Sequence, residues 1–208
     1  MKALCTSIAS LGASARVTGL LVALAAVASC GPGGGAGSSN SAPVPLSTLT
    51  PTQLEQAQRA GEARDSMFQS LIAELSDVLE KGGPGEAIAV CRERAPRLAR
   101  EAGQRMGLRI GRTSHRLRNP ANAPPAWAAQ LVAQRRESPA HFALEGGALG
   151  VLMPIPTAAP CLNCHGDVEK LPPEVREALA TNYPEDKAVG FRVGELRGWF
   201  WVEVPPLR

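Results

Sequence analysis

The residues of this sequence that are best placed to do chemistry are Cys161, Cys164 and His165, which lie in the run CLNCH. Two thiols separated by two residues and followed at once by a histidine match the pattern by which c-type haem is attached, with the histidine as an iron ligand. Other interpretations are a redox disulfide with an incidental histidine, a zinc site that lacks a fourth ligand, and chance. We take one covalently bound haem c as the leading prediction.

The first 29 residues have the form of an export signal. Lys2 and Arg16 precede the apolar run 17–29, which is shorter than the roughly 20 residues of a membrane-spanning helix. Small residues come directly before Cys30, as in bacterial lipoprotein signals, in which this cysteine is lipidated. A plain secretory signal cut at the same place is the alternative. Both predict a periplasmic or otherwise extracytoplasmic protein, and the first predicts attachment to the membrane by the lipid anchor alone.

The composition is that of a globular chain with a short leader. Of 208 residues, 44% are hydrophobic and 20% are charged. Loss of residues 1–29 removes two basic side chains and leaves 20 basic against 19 acidic ones, a net charge of +1. Because phosphate binding needs a basic excess, nucleic acid is excluded as a partner. Residues 30–45 are rich in Gly, Ser and Pro and predict a flexible tether, which leaves 46–208 as the folded domain.

A haem iron commonly has a second axial ligand, and few side chains here qualify. The candidates are Cys91, Met106, Met153, His115 and His141. The methionines are equally explained by packing, the histidines by solvation, and Cys91 by burial as a small hydrophobic residue. Because free thiols usually oxidise outside the cytoplasm, a retained Cys91 is less surprising if iron holds it. A thiolate ligand would push electron density onto the iron and lower its reduction potential.

The segment 111–120, GRTSHRLRNP, is basic and rich in hydroxyl groups. An arginine presents a planar pair of donors that matches a carboxylate. Arg112 and Arg118 are therefore candidates for contacts to the two haem propionates. A solvated basic loop is the alternative from composition alone.

The elements that must position these residues are helices first and strands later. Thr50 before Pro51 predicts the start of a long helix that ends near Lys81, and a Gly-Gly-Pro-Gly break separates it from a helix over 86–102. Cys91 lies on the apolar face of that second helix, and Pro96 predicts a kink one turn later. The remaining predicted elements are a strand over 108–114, a helix over 124–136, strands over 141–144 and 148–155, a helix over 172–181 and a strand over 198–204. This order indicates the α+β class.

Four blocks of the sequence resemble, in order, the single-haem c-type proteins with a PAS-like domain, a family long described as a domain of unknown function. The blocks are AIAVC to Cys91 with Ala95 and Pro96, IGRTS and LRNPANAP within 110–124, CLNCHG at 161–166, and YPEDKAVGF with GELRG within 183–198. The resemblance covers most of 46–208. It implies a PAS-like antiparallel sheet behind N-terminal helices, a covalent haem, and an axial pair made of His165 and Cys91.

The same resemblance implies a role in redox sensing, small-ligand sensing or one-electron transfer, with an unidentified redox or signalling protein as partner. With no kinase or cyclase in the chain, a sensor would have to pass its signal to another protein. An enzyme such as a peroxidase is the alternative, although peroxide needs an open iron position. A second alternative is a passive subunit that carries haem without a catalytic role. All five cysteines then have a use: Cys5 leaves with the signal, Cys30 takes lipid, Cys161 and Cys164 take haem, and Cys91 binds iron.

Overall fold

Two long helices begin the part of the chain that the structure describes. The structure is a computed structural model that describes residues 42–207. The predicted signal peptide, the lipidation site at Cys30 and most of the tether lie outside the described residues. Helix α1 runs over Pro51–Lys81 and helix α2 over Gly83–Met106. None of the helices in 42–207 combines the length and the apolar character needed to cross a bilayer.

The start of α1 is set by a capping box, as the Thr-Pro pair predicts. The Thr50 hydroxyl accepts from the backbone N–H of Gln53 at 3.2 Å, and the Gln53 side chain accepts from the N–H of Thr50 at 2.9 Å. The predicted end at Lys81 is confirmed. The break after it is shorter than predicted, because Gly83 turns the chain with a φ of 79° and already begins α2. Pro84 is tolerated there because the N–H groups of a first turn have no helical partner.

The strands form one antiparallel sheet in the order β1-β4-β3-β2. Strand β1 is Arg109–Thr113, β2 is Ala140–Ala143, β3 is Leu149–Pro156 and β4 is Leu196–Val204. Strands β2 and β3 form the predicted hairpin, in which Gly146 and Gly147 supply the positive φ values of the turn. Long helices followed by a four-stranded antiparallel sheet confirm the α+β class.

Three short helices connect the strands: α3 over Ala129–Ala133, α4 over Leu162–His165 and α5 over Pro173–Asn182. Helix α5 agrees with its prediction to within a residue. The helix predicted over 124–136 is reduced to a 3-10 turn and the five residues of α3. Arg135 adopts a left-handed conformation with a φ of 55°, which ends a helix in the way a C-terminal glycine does.

The core has three parts, one on each face of the sheet and one beside it. The helix pair covers one face with small residues, including Ala60, Ala63 and Ala102, that let the backbones approach the strands. Aromatic side chains fill the other face, among them Trp127, Phe142 and Trp199. The third cluster joins α2 to α5 through Ile88, Leu171, Val175, Leu179 and Tyr183. This last contact brings the region of Cys91 close to the chain that follows the haem motif.

Because His141 is buried in β2, we expect the protein to lose stability in mild acid. Burial lowers the pKa of its imidazole below the usual value of 6.5. As the pH falls through 6.5, the histidine therefore binds a proton in the unfolded chain before it does so in the folded chain. This difference in proton binding makes the folded state less favoured. We expect the free energy of unfolding, measured with urea, to fall between about pH 7 and about pH 5. His141→Gln should reduce this slope, and equal slopes for the two proteins would contradict the assignment.

Candidate functional site

The cysteines and histidine of the CLNCH run lie within one short helical segment. A 3-10 turn over Ala159–Cys161 leads directly into α4, so that Cys161, Cys164 and His165 follow one another within about a turn, all of them half-buried. Residues three apart on a helix lie on the same side, which places the two thiols together. Both thiols are free, as is that of Cys91. The local structure thus presents two thiols and one imidazole side by side.

His165 is oriented through one ring nitrogen, which leaves the other available. Its Nδ1 lies 2.6 Å from the carbonyl oxygen of Ala188, and because a carbonyl only accepts, Nδ1 carries the proton and Nε2 is the free nitrogen. Phe191 stands edge-on to the imidazole, with ring centroids 6.4 Å apart. Burial, and then the charges of Arg197 and Arg118, lower the pKa of His165 well below 6.5. A neutral imidazole held by Nδ1–H is the form that ligates a metal.

Cys91 lies in α2, which packs against α4. Burial raises the pKa of Cys164; Arg118 lowers it, and the neighbouring Cys91 and Cys161 raise it further. Burial, followed by the charge of Cys91, raises the pKa of Tyr183 to about 12. Ile88, one turn before Cys91, packs in the same cluster as Tyr183 and Cys164, so α2 carries Cys91 close to both of these residues, although it is far from them in sequence.

The other candidates for a second ligand have different surroundings. Met153 lies in the core between the helix pair and the sheet, where its sulfur accepts from Arg64 at 3.7 Å, and Met106 packs against the same cluster. His141 is buried in β2 opposite Val151. His115 stands edge-on to Phe191 and Trp199, with centroids 6.0 and 5.9 Å away. The packing interpretation accounts for the two methionines, and His115 lies against the same Phe191 ring as His165.

Arg118 fastens the haem motif to the rest of the protein. Its Nε donates to Asp186 at 3.0 Å, and its Nη2 donates to the carbonyl of Cys164 at 2.6 Å and to that of Ala188 at 3.3 Å. The side chains of Arg118 and Asp186 are only 6% and 9% exposed. Two of the three guanidinium nitrogens thus donate to protein atoms. One of the acceptors is the Ala188 carbonyl, which also orients His165. The contact of Arg118 to a propionate stays a prediction.

Arg112 lies in β1 on the face of the sheet that the helix pair covers. Arg112 comes two residues after the buried Ile110, on the same side of the strand, and is paired with Phe200 on β4. Ile110 and Phe200 both pack under the helices. Burial lowers the pKa of Arg112, while the influences that raise it come from Cys91 and Tyr183. Among the described residues, no carboxylate contributes to the shift in the pKa of Arg112. The residue is partly exposed to solvent.

Arg197, to which the sequence patterns assigned no role, belongs to the same group. Its pKa is lowered to about 10, first by burial and then by Arg118 and Arg112, and is raised by Asp186 and Cys161. It lies in the GELRG block of the family resemblance. Nothing in the spacing of that block marks the arginine, since its neighbours in the site come from distant parts of the chain.

Two surface grooves, of about 430 and 760 Å³, lie elsewhere on the molecule. They adjoin the start of β1, where Gly107, Leu108 and Arg109 line both of them. Neither groove is lined by the cysteines, by His165 or by the arginines described above. The candidate site is therefore identified by the chemistry of its side chains and not by either of these grooves.

Comparison with known proteins gives one family and one structure. The family model described as Tll0287-like matches residues 48–205. Among solved structures, the chain is similar to the cyanobacterial heme-protein Tll0287, with 25% sequence identity and a TM-score of 0.54. The alignment covers 77% of this chain and 99% of that chain. No curated protein matches the chain significantly.

Proposed function

Because the chain belongs to the Tll0287-like family, in which the similar solved structure is that of a heme-protein, we propose that it binds one haem c through Cys161 and Cys164. We further propose His165 and Cys91 as the axial ligands of the iron. The role that follows is redox sensing, small-ligand sensing or one-electron transfer. When bound, the haem would supply the one-electron couple of its iron.

The observation that carries this proposal is the state of His165 beside two free thiols. The Ala188 carbonyl accepts a hydrogen bond from Nδ1–H at 2.6 Å, so Nε2 is left as a ligand whose orientation is fixed. Second-shell bonds of this kind are typical of metal-bound histidines. Arg118 holds the carbonyls of both Cys164 and Ala188, so the attachment segment and the loop that orients the histidine are positioned by one side chain.

Cys91 is the proposed second ligand because α2 contacts α4, and because Ile88, one turn before Cys91, packs in the same cluster as Cys164. The thiolate is the form of cysteine that binds metals. A thiolate would hold the iron at a low potential and fill its sixth position. This favours electron exchange or sensing over peroxide chemistry, which needs an open position. Loss of the Cys91 bond would be the event that a sensor could detect.

The cellular setting is part of the proposal. Covalent attachment of haem takes place outside the cytoplasm, in agreement with residues 1–29 as a signal peptide and with lipidation at Cys30. Residues 30–45 would be the tether, and 46–208 a PAS-like haem domain. The partner would be a redox or signalling protein on the same side of the membrane, with the lipid anchor as the means of attachment.

Haem content of the purified protein tests the proposal directly. After production with a haem maturation system, the wild type should retain one haem per chain through denaturation, as measured by mass spectrometry. Cys161→Ser combined with Cys164→Ser should retain none, because both bonds to the porphyrin are gone. Cys91→Ser is the matched control, which removes a thiol of the same site and should keep the covalent haem. A wild type without bound haem, or a double variant that retains it, would refute the attachment.

A further inference from the structure

Arg197 carries a buried polar atom that has no partner in the described part of the chain. Its Nη1 donates to the Ser114 hydroxyl at 3.1 Å. Its guanidinium lies over the ring of Phe191, 5.2 Å from the centroid. The Nε, in contrast, is buried and has no hydrogen-bond partner within 42–207. An unsatisfied donor on a charged group is costly, so a missing acceptor is expected at this place.

The charges around Arg197 do not balance. Arg118 and Arg112 both lower the pKa of Arg197, while Asp186 is the carboxylate that raises it. Asp186 already pairs with Arg118 at 3.0 Å. Arg197 therefore shares the carboxylate of Asp186 with Arg118, and no carboxylate among the described residues acts on Arg112. Neither guanidinium group has a carboxylate of its own.

A ligand for these two groups should carry two carboxylates. Arg197 lies over Phe191, whose ring also stands edge-on to His165, the residue after Cys164. Arg112 lies on the face of β1 that the helix pair covers, and the charge of Cys91 is among the influences that raise its pKa. A haem carries two propionate carboxylates, one for each of these guanidinium groups. Arginine is well suited to hold them, because its planar donors match a carboxylate.

We propose that Arg197, together with Arg112, binds the two propionates of the haem, and that Arg118 instead positions the attachment segment. This assignment rests on the proposed function. It gives the unpaired Nε of Arg197 a carboxylate as acceptor. Phe191 is then the support that holds the guanidinium in place, since the ring lies against Arg197 and also stands edge-on to His165.

The test uses the full chain prepared without haem and two metal-free probes, protoporphyrin IX and its dimethyl ester. The probes have the same ring, but only the first carries free carboxylates, and neither contains iron that Cys91 or His165 could bind. Binding is followed by quenching of tryptophan fluorescence. The wild type should bind the diacid more tightly than the ester. Arg197→Gln should weaken diacid binding by about tenfold to a hundredfold, the range of a charge-assisted hydrogen bond, and leave ester binding unchanged.

Arg116→Gln is the matched control. Arg116 lies over the same Phe191 ring, 4.0 Å from the centroid, but its Nε is already bonded to the Lys187 carbonyl. This variant should keep the wild-type preference for the diacid, and Arg197→Lys should keep part of it. Unchanged ester binding in Arg197→Gln would show that the variant is folded.

The outcomes separate this proposal from the function on which it rests. A wild type that binds neither porphyrin would count against haem binding itself, and against this assignment with it. A wild type that binds both probes equally would overturn the carboxylate site alone. So would an Arg197→Gln variant with the full preference for the diacid, or an Arg116→Gln variant that loses the preference to the same extent.

Discussion

Cys91→Ala should leave one covalent haem in the protein but change its ferric absorption spectrum from six-coordinate low spin to a form with an open or exchangeable position. Alanine has no side-chain atom that can coordinate iron, so the sixth position would lose its proposed ligand. The reduction potential should rise by on the order of 0.1 V, because the identity of the axial ligand sets haem potentials over about 0.8 V. Optical spectra of both oxidation states and a potentiometric titration measure these changes.

Val90→Ala is the control for this experiment. Val90 is buried on the same helix, one residue before Cys91, so its truncation disturbs the packing of α2 without removing the thiol. The spectrum of this variant should be that of the wild type. A Cys91→Ala protein with an unchanged ferric spectrum would disprove ligation by Cys91. Equal changes in the two variants would assign the effect to packing.

Arg118→Ala should lower the free energy of unfolding by about 3 to 5 kcal/mol, the usual cost of breaking a buried ion pair by removing one partner. Asp186 is 9% exposed and would keep only the N–H of Ala188 as a donor, at 2.8 Å. The carbonyl of Cys164 would lose its bond of 2.6 Å. Denaturation in urea, followed by far-UV circular dichroism, measures the loss.

The Arg109–Glu203 pair provides the matched control. It has a similarly short distance of 2.7 Å, but the Arg109 side chain is 74% exposed. Arg109→Ala should therefore cost no more than about 1 kcal/mol, because solvent screens the exposed guanidinium and Glu203, 16% exposed, keeps the indole N–H of Trp127 as a donor at 2.9 Å. If Arg118→Ala proves equally mild, Arg118 does not fasten the attachment segment. A second variant, Arg118→Ala with Asp186→Ala, should recover part of the loss because no unpaired carboxylate remains.

The differences between the predicted and observed elements have local causes. The long first helix was predictable because Thr50, Gln53 and Pro51 determine its start within four residues. The helix over 124–136 was overestimated because its apolar spacing, which packs Trp127 and Leu131 in the core, is also satisfied by a turn and a short helix. The left-handed conformation of Arg135 ends that helix, and arginine gives no sequence signal for such a conformation.

The proposed attachment residues could be identified from the sequence by itself, because the chemistry proposed for Cys161, Cys164 and His165 depends on spacing along one short segment. The sequence also determined the α+β class through capping and periodicity. Only the tertiary structure decided which arginines face which groups. Arg118 meets Asp186 and the Cys164 carbonyl, and Arg197 meets Ser114, across gaps of 46 to 83 residues. Such contacts depend on the packing of β1, β4 and the loop after α5, which leaves no pattern among neighbouring residues.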